Sequence, residues 1–375
     1  MSVLRFAACH HLMAMLAPLS LGLLLSSSIS AAAPGMTPGP VEIQSIGPMT
    51  FAEDHVLLVG DPKAATVYAI EIEPTAETAA QPQAAYQIEN VAQAIAAAAQ
   101  TEESNVSLGD MAADAKSQTV VLSALVGGKV KLFRIQPDGA VSAIQTDKIP
   151  HAKKELPNPP ADEMTGQGRR QRNLRLESIT DLAFFDGKVL VSGASAGEAK
   201  SAVREFPFPF GENSLITNVE IFHAAHGRVE DSTIRTFVPM TIEGSPSLLA
   251  GFTCTPLVRF PIAKMRGEQK IRGTTVAELG NRNVPLDLIV YEQGDKQYLL
   301  MTNSARGVMK ISTDQLGDDE GLTQPVRGGG TAGQAFEQVN DWNDIVQMDK
   351  FSDSQAVILT GKPDGVQKLS VVDLP

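Results

Sequence analysis

The stretch "IFHAAHGRVED", residues 221–231, places His223 and His226 three residues apart, shortly before Glu230 and Asp231. Two imidazoles at this spacing can chelate a transition-metal ion when one face presents both, and the thiol of Cys254 would complete a His/His/Cys set. The preceding "TNVEIF" alternates like a strand, and a strand turns residues i and i+3 to opposite faces. Only a turn beginning at Ala224 brings the two rings together. Otherwise they are loop histidines at a strand end, and Cys254 is a small, half-buried residue.

A second chemistry rests on aspartates. Asp110, Asp181, Asp287 and Asp344 each stand at the same place in a recurring apolar segment. Carboxylates gathered from several segments suit a hard divalent cation such as Ca²⁺, which takes oxygen ligands. The same carboxylates can instead accept hydrogen bonds from N–H groups of the adjoining turn. Asn303 and Arg306 fall on turns that would share a surface with them. The chain has no HExxH or phosphate-loop pattern, and without CxxCH no covalent c-type haem is expected.

The elements that must position these residues are strands. "GPMTFAEDHVLLVGDPKAATVYAIEI" from Gly47 returns in altered form from Gly109, Thr180, Ser232, Leu286 and Asn343. Each unit has a short inner strand, a polar turn, a very apolar second strand, a small-residue turn and a third strand. Fourth strands fit in "AAYQIENV", "GAVSAIQ", "NVEIFHA" and "GTTVAELG". Units of four antiparallel strands repeated around an axis form a β-propeller. Here they run somewhat longer than the roughly 40–50 residues of common blades.

An all-β, six-bladed propeller is therefore expected over residues 40–375 as a single domain. Residues 40–46, "PVEIQSI", are expected to close the ring by adding the outer strand to the last blade. The Ala-rich residues 91–100 read as one inserted helix. Residues 150–177, rich in Pro and charge, read as a long excursion whose Arg169, Arg170, Arg172 and Arg175 could meet an acidic partner. Residues 327–334, "RGGGTAGQ", read as a flexible connection. On such a ring Asp110, Asp181, Asp287 and Asp344 would surround the axial opening.

The strand grammar resembles NHL-type repeats of secreted bacterial propellers. The phrases "TCTPLVRFPIAKM", "RGTTVAELGNRNVPLDLIVYE" and "NSARGVMKI" resemble a group of exported bacterial propellers without an assigned activity. The resemblance implies the fold and an exported location, and it supplies no reaction.

The N-terminus agrees with export. Arg5, an apolar stretch from Leu12 to Leu25 and the small residues that follow read as a signal peptide over 1–32, cut before Ala33, with 33–39 as a linker. The expected location is periplasmic or secreted. The apolar stretch is short for a membrane span of roughly 20 residues. A net charge of −12 disfavours nucleic acid and anionic membranes as partners. Outside the leader Cys254 is the one cysteine, so no internal disulfide is expected there. The reading is a monomeric binding module taking a small ligand or a protein on its axial face. The alternative is a metal-dependent hydrolase of lactonase type, with Ca²⁺ or another divalent cation at the axial mouth.

Overall fold

The second strand of every unit has a central run of Val, Leu, Ile, Met and Ala, a composition that suits a strand covered on both faces. The computed structural model describes residues 33–375 apart from 54, 74–85, 169–170, 198–199, 268, 319 and 363–364. The expected signal peptide lies outside the described residues. Six blade sheets form, each built on three consecutive antiparallel strands and a fourth at its outer edge, beside a two-stranded sheet of Met164–Thr165 and Arg172–Asn173. Their innermost strands are Met49–Phe51, Val106–Asp114, Asp181–Phe185, Ile234–Ile242, Pro285–Gln293 and Ile345–Lys350. We number the blades one to six in that chain order.

The apolar second strands divide their side chains between two neighbours, because successive residues point to opposite faces. Leu57 and Val59 pack on Val121 and Leu132 of blade two, whereas Leu58 packs on Val189 and Val191 of blade three. Val120 and Leu122 pack on Val357 and Leu359 of blade six, and Ile358 joins Leu300 of blade five. Leu299 and Met301 meet Leu249 of blade four, while Leu248 and Ala250 meet Leu190 of blade three. Six apolar seams thus close a ring whose circular order is one, three, four, five, six, two.

Blade two therefore sits between blades six and one, out of chain order. After Thr66–Glu71, the third strand of blade one, the chain forms Gln87–Ile88 on the edge of blade six, pairing Ile88 with Leu369. It next enters blade two. It returns to blade one through Ile149–Glu155, which pairs with Thr66–Glu71 as that blade's fourth strand. Thr37–Gly39 adds beyond it, within the stretch expected to be a linker.

This corrects two sequence expectations. Residues 40–46 form no strand and do not close the last blade. They are tied to blade one, where Gln44 and Ser45 N–H donate to the Asp61 carboxylate (2.6 and 3.1 Å). The closing strand is Gln87–Ile88, which the sequence had placed on blade one. The excursion at 150–177 likewise begins as an ordered blade strand.

Helix Val91–Ala99 follows the closing strand. Asn90 caps it by accepting the Gln93 N–H (3.1 Å), and its Val91 and Ile95 are buried in the seam between blades two and six. The crossing to blade three is fixed by Arg204, a fully buried guanidinium. It donates to the carbonyls of Pro157 (3.0 Å), Ala194 (2.9 Å) and Ser178 (3.3 Å). Those bonds satisfy most of its donors where no carboxylate among the described residues pairs with it.

Because Ile88 is buried in the seam it closes, Ile88→Ala should destabilise the protein by about 2–4 kcal/mol in urea unfolding. A change below about 0.5 kcal/mol, the range of ordinary surface substitutions, would show that Gln87–Ile88 does not hold the ring shut.

Candidate functional site: an axial ring of carboxylates

The innermost strands line the axis, and in four of them the pairing is irregular, at the aspartate itself in blades two and five. The pairing of first and second strands slips between Leu108 and Met111, between Pro285 and Leu288, between Ile234 and Thr236, and between Ile345 and Gln347. A bulge bends the strand and frees a backbone N–H that must find another partner. Hydroxyls on the second strand supply it: Ser123 Oγ accepts the Asp110 N–H (2.8 Å), and Thr302 Oγ1 accepts that of Asp287 (2.9 Å). Both hydroxyl residues are buried. In blade three Ser192 Oγ lies 2.9 Å from Thr180 Oγ1 at the corresponding place.

Each aspartate then reaches across a seam. Asp110 Oδ2 accepts the Met49 N–H of blade one (2.6 Å), Asp181 Oδ2 the Phe237 N–H of blade four (2.7 Å), and Asp287 Oδ2 the Met348 N–H of blade six (2.8 Å). Asp349 Oδ2 accepts the Ala113 N–H of blade two (2.8 Å). All four bonds run in one direction around the ring, from each blade to its next neighbour. The sequence reading allowed such bonds to the adjoining turn; the structure places them between blades.

The same four carboxylates line an axial cavity of about 350 Å³. It runs along the inner strands from Pro48, Thr180, Arg235 and Leu286 to Phe51, Phe185, Pro239, Val290 and Lys350. Burial on the axis disfavours the charged forms, and the neighbouring carboxylates add repulsion. Burial, reinforced by Asp181 and Asp349, pushes Asp110 up to about 8 against the pull of the Met49 N–H. It pushes Asp181 up to about 7 and Asp349 to about 6. Asp287 is raised well above the usual carboxylate range by burial and by Asp110. The four titrate as a coupled set, so protons are shared among them near neutral pH.

Of the residues expected at the axis, Asp110, Asp181 and Asp287 arrive there. Asp344 does not: it is exposed, in a left-handed turn (φ 54°) before the inner strand of blade six. The bulge at Val346 shifts the register, so Gln347 stands next to the Met348 N–H that Asp287 engages, and its Nε2 donates to Gly109 O. Asp349, two residues on, reaches the cavity instead. Asn303 is buried against Asn283 (2.7 Å) and the backbone, and Arg306 donates twice to Asn281 O (3.2 and 2.9 Å). Neither lines the axial cavity.

The H-x-x-H motif lies away from the axis, at the end of the fourth strand of blade three, Leu215–His223. A turn does begin at Ala224. Gly227, left-handed at φ 65°, donates to the carbonyls of His223 (2.8 Å) and Ala224 (3.1 Å). The chain returns as Arg228–Glu230, pairing Glu230 with Ile221, and so places Glu230 on the strand face that also carries His223. His223 Nδ1 lies 2.5 Å from Glu230 Oε1, and the two imidazole rings stand 3.9 Å apart at 36°.

Among the described residues, His223, His226 and Glu230 are the one trio of His, Cys, Asp or Glu whose ligand atoms all lie within 4.8 Å of one another. Cys254 is not in it; the thiol sits in a left-handed turn of blade four (φ 65°) whose N–H donates to Asn283 O. No three of the axial carboxylates approach this closely either. Burial lowers His223 and keeps it neutral. Burial works against Glu230, yet hydrogen bonds from His223 and Arg228 hold it down at about 2. Behind the turn, burial raises Glu278 to about 7, although its Oε1 accepts the Ala225 N–H (3.1 Å). In the basic loop, Arg169 and Arg170 lie outside the described residues, and Arg175 donates to Pro160 O (2.6 Å).

No family model and no curated protein matches this chain. Among solved structures, a chain of "Crystal Structure of Mitotic Checkpoint Complex" is similar over 94% of this chain and 98% of that one. The identity is 9% and the TM-score 0.39, so the likeness carries no argument here. No helix among the described residues is long and apolar enough to cross a membrane.

Raised axial carboxyls have a consequence with a definite sign. Between the unfolded value near about 4 and the raised native values, the folded state holds protons that the unfolded chain has lost, so stability falls as pH rises. Glu230 acts in the opposite sense, losing its contribution only as pH falls below about 4.5. The melting temperature should therefore peak near about pH 5 and fall towards about pH 8. Asp110→Asn with Asp287→Asn, which keeps an oxygen for each backbone donor, should flatten that fall. An unchanged slope in the double variant would refute the assignment.

Proposed function

We propose that this chain is an exported binding module that takes a small cationic ligand into its axial channel. The observation that carries this reading is the convergence of Asp110, Asp181, Asp287 and Asp349 on one cavity of about 350 Å³, a size suited to a small molecule. Each carboxylate spends an oxygen on a neighbouring blade, and their mutual repulsion favours protons. An ammonium or guanidinium group entering the channel would replace those protons as the neutralising charge. Apolar Phe51, Phe185 and Val290 line the same cavity and suit the hydrocarbon part of such a ligand.

Export is supported by the leader-like N-terminus and by the resemblance of residues 253–311 to exported propellers. The hydrolase alternative, with a cation at the axial mouth, gains less support. It needs carboxylates converging on one ion, and the axial oxygens are spread around the ring and engaged with backbone.

Calorimetric titration with a panel of linear amines, guanidinium compounds and Ca²⁺ tests the reading. Saturable binding of an amine or guanidinium compound is expected, tighter at about pH 8 than at about pH 5 because binding displaces protons. Asp110→Asn with Asp287→Asn should weaken it by at least about tenfold, one to two lost charge-assisted contacts. Binding that ignores both pH and the double variant would place the ligand elsewhere, and no binding across the panel would remove the cationic reading. Stoichiometric Ca²⁺ lost in the same variant would instead favour the hydrolase.

A further inference from the structure

We propose that His223, His226 and Glu230 form a second site, away from the axis, for one divalent transition-metal ion, Zn²⁺ best matching its two-nitrogen, one-oxygen donor set. Strand and turn geometry assemble it from a single hairpin. The turn at 224–227 reverses the expected divergence of the histidines, and the pairing of Glu230 with Ile221 carries the carboxylate to the same face. All three residues offer ligand atoms within 4.8 Å of each other. Ligand atoms around a tetrahedral Zn²⁺ with bonds of about 2.0–2.1 Å stand about 3.3 Å apart. His226 Nδ1 is already 3.4 Å from Glu230, and the shorter His223–Glu230 contact of 2.5 Å is bridged by a proton.

A second observation points the same way. His223 is 2% exposed and its Nε2 has no hydrogen-bond partner. A buried imidazole with one nitrogen on a carboxylate and the other unpartnered has the polar arrangement of a metal-ligating histidine and its supporting acid. His226, with 44% of its side chain exposed, leaves the cluster open to solvent and gives an ion a way in. Three protein ligands leave coordination positions for water, as in zinc sites that are not closed structural ones.

Arg228 opposes a cation, since its Nε donates to Glu230 Oε2 (2.9 Å). Its side chain is 69% exposed and can turn to water when an ion arrives. The ion takes the free lone pair of His223 Nε2, so the Nδ1–H stays on Glu230 Oε1 and no proton has to leave the pair.

The test uses the untagged full chain, with His10 and His11 replaced by alanine so that the leader cannot chelate. After chelator treatment, Co²⁺ is titrated and followed by visible absorption, then displaced by Zn²⁺. The expected result is one equivalent bound, with ligand-field bands that Zn²⁺ abolishes. His226→Ala, at an exposed side chain that leaves the strand pairing intact, should weaken binding by at least about tenfold. Glu230→Gln should do the same, and Arg228→Gln should tighten it. Asp287→Asn and Cys254→Ser should leave it unchanged, which separates this site from the axial channel and from the thiol. No saturable uptake, or an uptake that survives His226→Ala in a folded protein, would overturn the proposal.

Discussion

The structure depends on carboxylates that serve as bolts between blades. Face-to-face packing of apolar sheets is non-directional and would tolerate sliding of one blade on another. A carboxylate on one inner strand that accepts a backbone N–H of the next fixes the height at which two blades meet. The bonds of Asp110, Asp181, Asp287 and Asp349 do this at four of the six seams. The cost is electrostatic: directional acceptors on neighbouring blades must share one axis, and like charges gather there. The protein meets that cost by holding protons on the ring, which makes a structural device into a charged cavity whose state depends on pH.

Those bolts rest in turn on small features of the second strands. In blades two and five a bulge turns the aspartate inward, and the N–H it frees would be an unsatisfied donor in the core. Ser123 and Thr302 accept it at positions otherwise reserved for packing. Blades one and four have Gly60 and Gly251 in the matching place, and neither has an aspartate to support. In blades two and five the small residue that ends the apolar run is thus part of the axial apparatus.

Much of this was legible in the sequence. The apolar second strands gave six blades, and the shared place of the aspartates at the start of inner strands put Asp110, Asp181 and Asp287 on the axis. Asp344 failed because the reading matched it by its neighbours in sequence, while an extra residue at Val346 shifts the pairing by a step that periodicity does not record. The alternation of Gln347 and Asp349 on one strand face was the available signal. The circular order of the blades was not legible. Which edge a strand as short as Gln87–Ile88 joins is decided by tertiary packing, and "AAYQIENV" would look the same on blade one. For the histidines the sequence stated the right condition, a turn beginning at Ala224. It named Cys254 as third partner where hairpin register supplies Glu230.

The central claim is that protons reside on the axial aspartates near neutral pH. Selective ¹³Cγ-aspartate labelling with NMR titration, assigned by Asp110→Asn, Asp181→Asn, Asp287→Asn and Asp349→Asn in turn, measures it directly. The account predicts a coupled group of aspartates still titrating above about pH 6, well clear of the ordinary value near about 4. Four axial aspartates fully ionised by about pH 5, with ordinary transitions, would contradict it.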